Sequence, residues 1–159
     1  AQLGADADRF AVWGHSAGGH LAAMLALTPG KFEGEGGNAQ ASSEVRWVLC
    51  FSTPFDLPAL GSSLRGSVDS FLCSAARDLA SPITYVGAAN VTFFVCHGDQ
   101  DDLVLVEQSD RFVAALRQAG LAHEFLRVPR AGHDLERYSE DIFARALAFL
   151  EKHLKQGPD

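Results

Sequence analysis

Apolar and polar positions fall into two rhythms along this chain. Short apolar runs cover Arg9–Trp13, Val45–Phe51, Val91–Cys96 and His123–Val128, each bounded by turn-forming residues. Runs of this length and composition read as strands. The continuous apolar character of the first suggests a parallel strand covered on both faces. Between and after them the period lengthens. Leu21, Met24, Leu25 and Thr28 return at helical spacing, which predicts a helix over Ala17–Leu27 stopped by Pro29-Gly30. Phe112, Ala115, Leu116 and Ala119 share one face of a helix over Glu107–Ala119, closed by Gly120. A last amphipathic helix spans Ser139–Leu154, with Ile142, Phe143, Ala146, Leu147, Leu150 and Leu154 inward. Glu140 and Asp141 occupy its first turn, where carboxylates suit the helix dipole.

The connections are less regular. Lys31–Ser43 is rich in Gly, Asn, Ser and Glu and reads as a solvated loop. Pro54 and Asp56 favour a bend within Ser52–Leu57. Leu60–Ala80 is mixed, with a short helix near Val68–Ala76. Pro82 pushes Ser81 away from helical angles, so Ser81–Tyr85 reads as an extended connector. Strands alternating with helices predict an α/β fold: a parallel sheet with helices on both faces.

Composition narrows the function classes. A chain of 159 residues is one domain, 1–159, by length. The formal net charge of −7, with scattered cations, disfavours nucleic acid and anionic membranes as partners. No apolar run is long enough to span a bilayer, and no secretory signal is expected from the opening residues. Cys50, Cys73 and Cys96 form neither a metal spacing nor a disulfide framework. Cys50 and Cys96 sit in strand-like runs and read as buried thiols. A reducing, cytoplasmic compartment is the expectation, with no cofactor and no metal.

Chemistry concentrates at Gly14-His15-Ser16-Ala17-Gly18-Gly19. Strand, sharp turn and helix are what a G-x-S-x-G nucleophile elbow requires. A tight turn lifts the Ser16 hydroxyl clear of the sheet. Gly14 and Gly18 flank it because side chains there would meet the neighbouring strand and helix. The helix after the turn places its N-terminal partial charge, and the Ala17 N–H, at a developing oxyanion. The alternative is a glycine-rich turn with Ser16 as a plain N-cap. Ligands gather at the carboxyl ends of strands in open parallel sheets, so a base and an acid should lie after later strands. Asp99, Asp101 and Asp102 come after the third strand, and His133 after the fourth. His133 would take the serine proton and a carboxylate would fix its tautomer. Asp101 is the choice for that carboxylate. Asp99 could satisfy backbone N–H groups in its turn, and Asp102 could cap the next element. His97 shapes the turn, His15 lies beside the serine in a supporting role, and His20 has none.

These motifs also resemble a family. Gly14-His15-Ser16-Ala17-Gly18-Gly19-His20-Leu21-Ala22 is similar to the elbow of α/β-hydrolase esterases of the feruloyl, acetyl-xylan and hormone-sensitive-lipase-like groups. His97-Gly98-Asp99-Gln100-Asp101-Asp102-Leu103-Val104 resembles their H-G-x-x-D-x-x-V acid loop, which implies Asp101 as the acid. Ser81–Val86 is similar to their connector, and Ala131-Gly132-His133 to their histidine loop. The resemblance implies a serine carboxylesterase acting on short-chain or aromatic esters through an acyl-enzyme. The alternatives are an arylformamidase, a prolyl-oligopeptidase-like amide hydrolase, and an inactive folded fragment. Members of the family carry further strands and an H-G-G oxyanion loop before the elbow strand. None is found here, so the expectation is a truncated α/β-hydrolase fold whose exposed sheet edge is covered in a homo-oligomer.

Overall fold

The computed structural model describes all residues except 1–5, 7, 8, 33, 37–40, 71, 74, 75, 88, 136–138 and 157–159. Among the described residues, four strands form one sheet: β1 (Ala11–His15), β2 (Trp47–Phe51), β3 (Thr92–Gly98) and β4 (His123–Val128). They lie side by side in chain order, and every pair is parallel. Helices α1 (Ala17–Leu27), α2 (Ser62–Asp69), α3 (Glu107–Gln118) and α4 (Glu140–Gln156) connect or succeed them. Leu57–Ala59 and Pro82–Tyr85 form short 3₁₀ turns.

Two apolar layers hold the sheet. On one face Ala22, Ala23 and Ala26 of α1 and Phe112, Val113 and Leu116 of α3 pack on Val48, Cys50, Phe93 and Val95. On the other, Ile142, Ala146 and Phe149 of α4 pack on Trp47, Leu49, Phe51, Phe94 and Cys96. Odd and even residues of β2 and β3 therefore go to opposite faces, as the two-residue period of a strand demands. All five residues of β2 are buried. Helices lie on both faces, as expected. Cys50 and Cys96 are buried, as expected, while Cys73 is exposed.

Several boundaries and faces differ from the sequence reading. The first strand begins and ends two residues later than Arg9–Trp13, because pairing with β2 carries it up to the serine. Among the described residues it pairs with β2 alone and lies at the sheet edge, and its coverage is partial: α1 packs against it at Gly14, while Trp13, stacked on Phe51, stays 38% exposed. On α4, Phe143 and Leu147 are exposed, and Phe149 is buried in their place. The inward stripe is Ile142, Ala146 and Phe149, which is one helical face at i, i+4 and i+7. Phe143 instead turns toward Trp13, ring to ring at 5.3 Å. The extended connector at Ser81–Tyr85 is a 3₁₀ turn. Ser81 does take extended angles, but Pro82 starts the turn, a position where its missing N–H costs nothing. The helix expected near Val68–Ala76 lies earlier, at Ser62–Asp69, and residues 71, 74 and 75 of that expectation lie outside the described residues. Parts of the 31–43 loop do too.

Candidate active site

The sheet delivers three loops to one rim. β1 runs directly into Ser16, which stands between strand and helix at φ 53° and ψ −121°. Few non-glycine residues adopt such angles, and packing on both sides must impose them. Its backbone N–H is tied to Phe51 O at 2.8 Å, which locks the turn to the end of β2. Its side chain makes no cap hydrogen bond with α1. The plain N-cap alternative fails on that observation and on the dihedral angles, since capping residues take β-region angles. Ala17 opens α1, so its N–H is among the donors that lack a partner within the helix.

The glycines divide differently from expectation. A Cβ on Gly14 would stand 2.1 Å from the carbonyl carbon and oxygen of Gly18 and 2.4 Å from Gly19 N, all backbone. Gly14 is therefore required for the turn, as expected. Gly18 is not: a Cβ there would meet nothing within 4 Å. The second tight glycine is Gly19, where a Cβ would fall 1.9 Å from Thr53 Oγ1 and 3.0 Å from Gly14 O. α1 crosses close over β1 and the end of β2 at residues 14 and 19. The motif spacing makes Gly18 the conspicuous glycine, while the adjacent Gly19 makes the contact.

Asp101 lies four residues after His97, just past the end of β3, and is 4% exposed. Its Oδ1 accepts the N–H groups of Leu103 (3.0 Å) and Val104 (2.8 Å). Its Oδ2 accepts Nδ1–H of His133 at 2.8 Å and Nε2–H of His97 at 3.1 Å. Burial alone would raise the pKa of this carboxyl. The donors from His133, His97 and Val104 outweigh it and hold the group well below the usual carboxylate range. The carboxylate is thus charged and fully engaged, and it directs one imidazole nitrogen of His133 inward. With its proton on Nδ1, that ring presents Nε2 as a lone pair, the form a general base needs.

The other aspartates do not compete. Asp99 Oδ1 accepts the N–H of Arg130 at 2.6 Å, so it ties its turn to the neighbouring loop rather than to itself. Asp102 is exposed and does not cap α3, whose cap position is Val106. His97 is fully buried and does more than shape the turn. Its Nε2–H is shared between Asp101 Oδ2 and Val104 O (2.8 Å), while Nδ1 accepts the Ser109 hydroxyl at 2.7 Å. Ser109 lies on the inner face of α3. Periodicity does not single it out, because a buried hydroxyl on a helix looks like a solvent-facing one in sequence.

The histidine loop is seated against the acid loop. A Cβ on Gly98 would lie 2.2 Å from Ala131 O and 2.6 Å from Gly132 O. Gln100 N–H donates to Ala131 O at 3.0 Å, and Leu135 anchors the far side in the core. The carbonyl of His133 itself accepts His15 Nε2–H at 3.0 Å and the Ser52 hydroxyl at 2.8 Å. The rings of His15 and His133 lie 4.9 Å apart. His133 therefore sits beside the residue preceding Ser16, with Asp101 behind it. No hydrogen bond joins Ser16 Oγ to the imidazole among the described residues; such contacts are often long in free enzymes and tighten with substrate. His20 does have a partner: its Nε2–H donates to Ala80 O at 2.6 Å, one turn along α1 from the serine. Burial, partly offset by that bond, lowers its pKa.

Comparison with known proteins adds a family and a fold. The BD-FAE family model matches residues 1–116, which include Ser16 and Asp101. A probable carboxylic ester hydrolase of Mycobacterium tuberculosis, LipM, is 33% identical over 128 residues, covering 74% of this chain and 30% of that protein. Esterase LipQ of the same organism is 32% identical over 144 residues, 84% of this chain and 34% of that protein. The chain thus spans about a third of the length of these two relatives. A truncated carbohydrate esterase from gut microbiota superposes with a TM-score of 0.86 at 21% identity, covering 97% of this chain and 62% of that one. At that identity the likeness speaks to the fold alone.

Proposed function

The chain belongs to the BD-FAE family, and from that premise we propose that it carries the catalytic residues of a serine carboxylesterase acting through an acyl-enzyme. The observation that supports this most directly is the 2.8 Å bond from His133 Nδ1–H to a buried, charged Asp101, beside a serine held on a strained turn. Ser16 Oγ attacks the ester carbonyl carbon while His133 Nε2 takes its proton. The tetrahedral oxyanion faces the N-terminus of α1, with the Ala17 N–H as one donor. His133 returns the proton to the alcohol oxygen as the C–O bond breaks. Water then attacks the acyl-serine by the same route and the carboxylic acid departs. Asp101 stays ionised throughout and stabilises the imidazolium. Relatives named as ester hydrolases support the ester bond as the target; short-chain and aromatic acids are proposed as acyl groups on the motif resemblance alone.

A fluorophosphonate probe tests this without knowledge of the natural substrate. It should label the protein on the peptide containing Ser16, read by mass spectrometry, and the label should be absent from Ser16→Ala. p-Nitrophenyl acetate should be hydrolysed with the same dependence. Label on another residue, or none, would reject the assigned nucleophile. A panel adding anilides and N-formyl arylamines separates ester from amide hydrolysis.

We further propose that the 159-residue chain, studied alone, self-associates through its β1 edge. Phe10 (49% exposed), Trp13, Phe143 and Leu147 leave apolar surface there, and Trp13 touches Phe143. Light scattering should report a dimer or larger species that Phe143→Lys with Leu147→Lys shifts toward monomer. A monodisperse monomer at all concentrations would reject it.

A further inference from the structure

Neither G-x-S-x-G nor the acid and histidine loops account for what holds the main chain of the base. The carbonyl of His133 accepts two hydrogen bonds, from His15 Nε2–H at 3.0 Å and from Ser52 Oγ–H at 2.8 Å. Their donors come from the ends of two adjacent strands, 118 and 81 residues away in sequence. Both lone pairs of the carbonyl are thereby used. Ser52 is fully buried and stands at φ 45°, a positive value that serine rarely takes, with its N–H fixed to Cys96 O at 2.9 Å. Strain of this kind persists where the surroundings impose it, and it collects around functional sites. Here it aims a hydroxyl at one atom of the histidine loop.

We propose that His15 and Ser52 are positioning residues that clamp the His133 backbone, so that Asp101 orients the ring and the clamp orients the loop. The inference rests on the hydrolase reading for its catalytic consequence, though not for its structural one. The imidazole has two anchors: Asp101 on Nδ1 and its own main chain. With the second released, the ring can pivot about the Asp101 bond, and Nε2 leaves the line to Ser16. Small displacements of a reacting group are costly even when every group remains present. His15 thus has a job distinct from bulk beside the nucleophile: it needs a donor at the Nε2 position, and its ring is secondary.

Three variants separate these roles. His15→Gln keeps a side-chain donor without the ring, His15→Phe keeps a ring without the donor, and Ser52→Ala removes the second hydroxyl. With p-nitrophenyl acetate, His15→Phe and Ser52→Ala should each lower kcat by about 10-fold with KM within about twofold of wild type. His15→Gln should retain kcat to within about threefold. Deuterium uptake over residues 129–135 should rise in the first two variants and stay at the wild-type level in His15→Gln. If His15→Gln falls as far as His15→Phe, or if neither kcat nor uptake moves in His15→Phe and Ser52→Ala, the clamp is overturned. Absence of Ser16-dependent turnover in the wild type would instead sink the hydrolase reading, and the uptake data would still decide the clamp. The His15 pair judges the proposal even if Ser52→Ala fails to fold.

Discussion

Asp101→Asn should lower kcat by about 10⁴-fold, the scale seen when a triad carboxylate becomes an amide that favours the wrong tautomer. The geometry says why. One oxygen of Asp101 takes two backbone N–H groups, and the other takes two imidazole N–H groups. An asparagine can satisfy only one of those sides. With its oxygen toward Leu103 and Val104, its NH₂ confronts His133 and His97. His133 then flips its proton to Nε2 and can no longer accept a proton at that atom. His97 is less free to flip, because its Nε2–H also serves Val104 O. A donor facing a donor in a buried site costs about 1–3 kcal/mol, so the variant should also melt earlier. The pH dependence has a definite sign. The folded carboxyl has a lowered pKa, so its contribution is complete above the unfolded value of about 3.9 and is lost as pH falls through the folded one. The difference in Tm between wild type and variant should therefore narrow in acid, below about pH 4. Loss of less than about tenfold in kcat would remove Asp101 from the role of orienting acid.

Gly14→Ala and Gly18→Ala should move stability in opposite directions, although both glycines belong to the same five-residue motif. At Gly14 the new methyl meets main-chain atoms of Gly18 and Gly19. No rotamer relieves a backbone collision, so α1 must shift off β1. Overpacking of this sort costs about 3 kcal/mol, a fall in Tm of roughly 6–12 °C for a chain of this size. The shift carries Ser16 and the Ala17 N–H with it, so turnover should fall too. At Gly18 the methyl enters open space in the first turn of a helix. Replacing glycine there removes unfolded-state freedom and should stabilise by about 0.4–1 kcal/mol. Calorimetry on the two variants checks both signs. Equal destabilisation would mean that the approach of α1 to β1 is looser than these distances.

Much of the fold is legible in the residues alone. Among the described residues, every strand and the three long helices emerge from apolar period and punctuation, and α1 and β4 have the ends that the sequence suggests. The candidate site residues can be proposed from the sequence because an open parallel sheet sends its loops to one end. Ser16, Asp101 and His133 each come after a strand, and Asp101 and His133 meet. The misses share a cause: they depend on what a residue faces across the fold. Phe143 and Phe149 exchange places with respect to the core because helical spacing admits two adjacent stripes, and only the packing partner selects one. Ser109 and Ser52 are polar residues buried to serve other residues. Gln108 is another, with its amide oxygen taking the N–H groups of Phe55 and Asp56. A one-dimensional pattern has no mark for that. Gly19 and Gly98 escape it for the same reason, since each is defined by a distant segment lying against it.

The angles of Ser16 have a practical corollary. A residue at φ 53°, ψ −121° gains about 1–3 kcal/mol by relaxing, and the fit of α1 against the strand ends together with the Ser16 N–H bond to Phe51 O opposes it. That stored strain offsets part of the cost of opening the turn, so the turn can open locally at a lower free energy than unfolding the whole chain. On the nucleophile role proposed for Ser16, mild urea or warming should therefore silence it while circular dichroism still records intact helices. The mass of folded material in a preparation is then a poor measure of its working sites, and specific activities should be normalised by counting reactive serines with a burst or a covalent titrant.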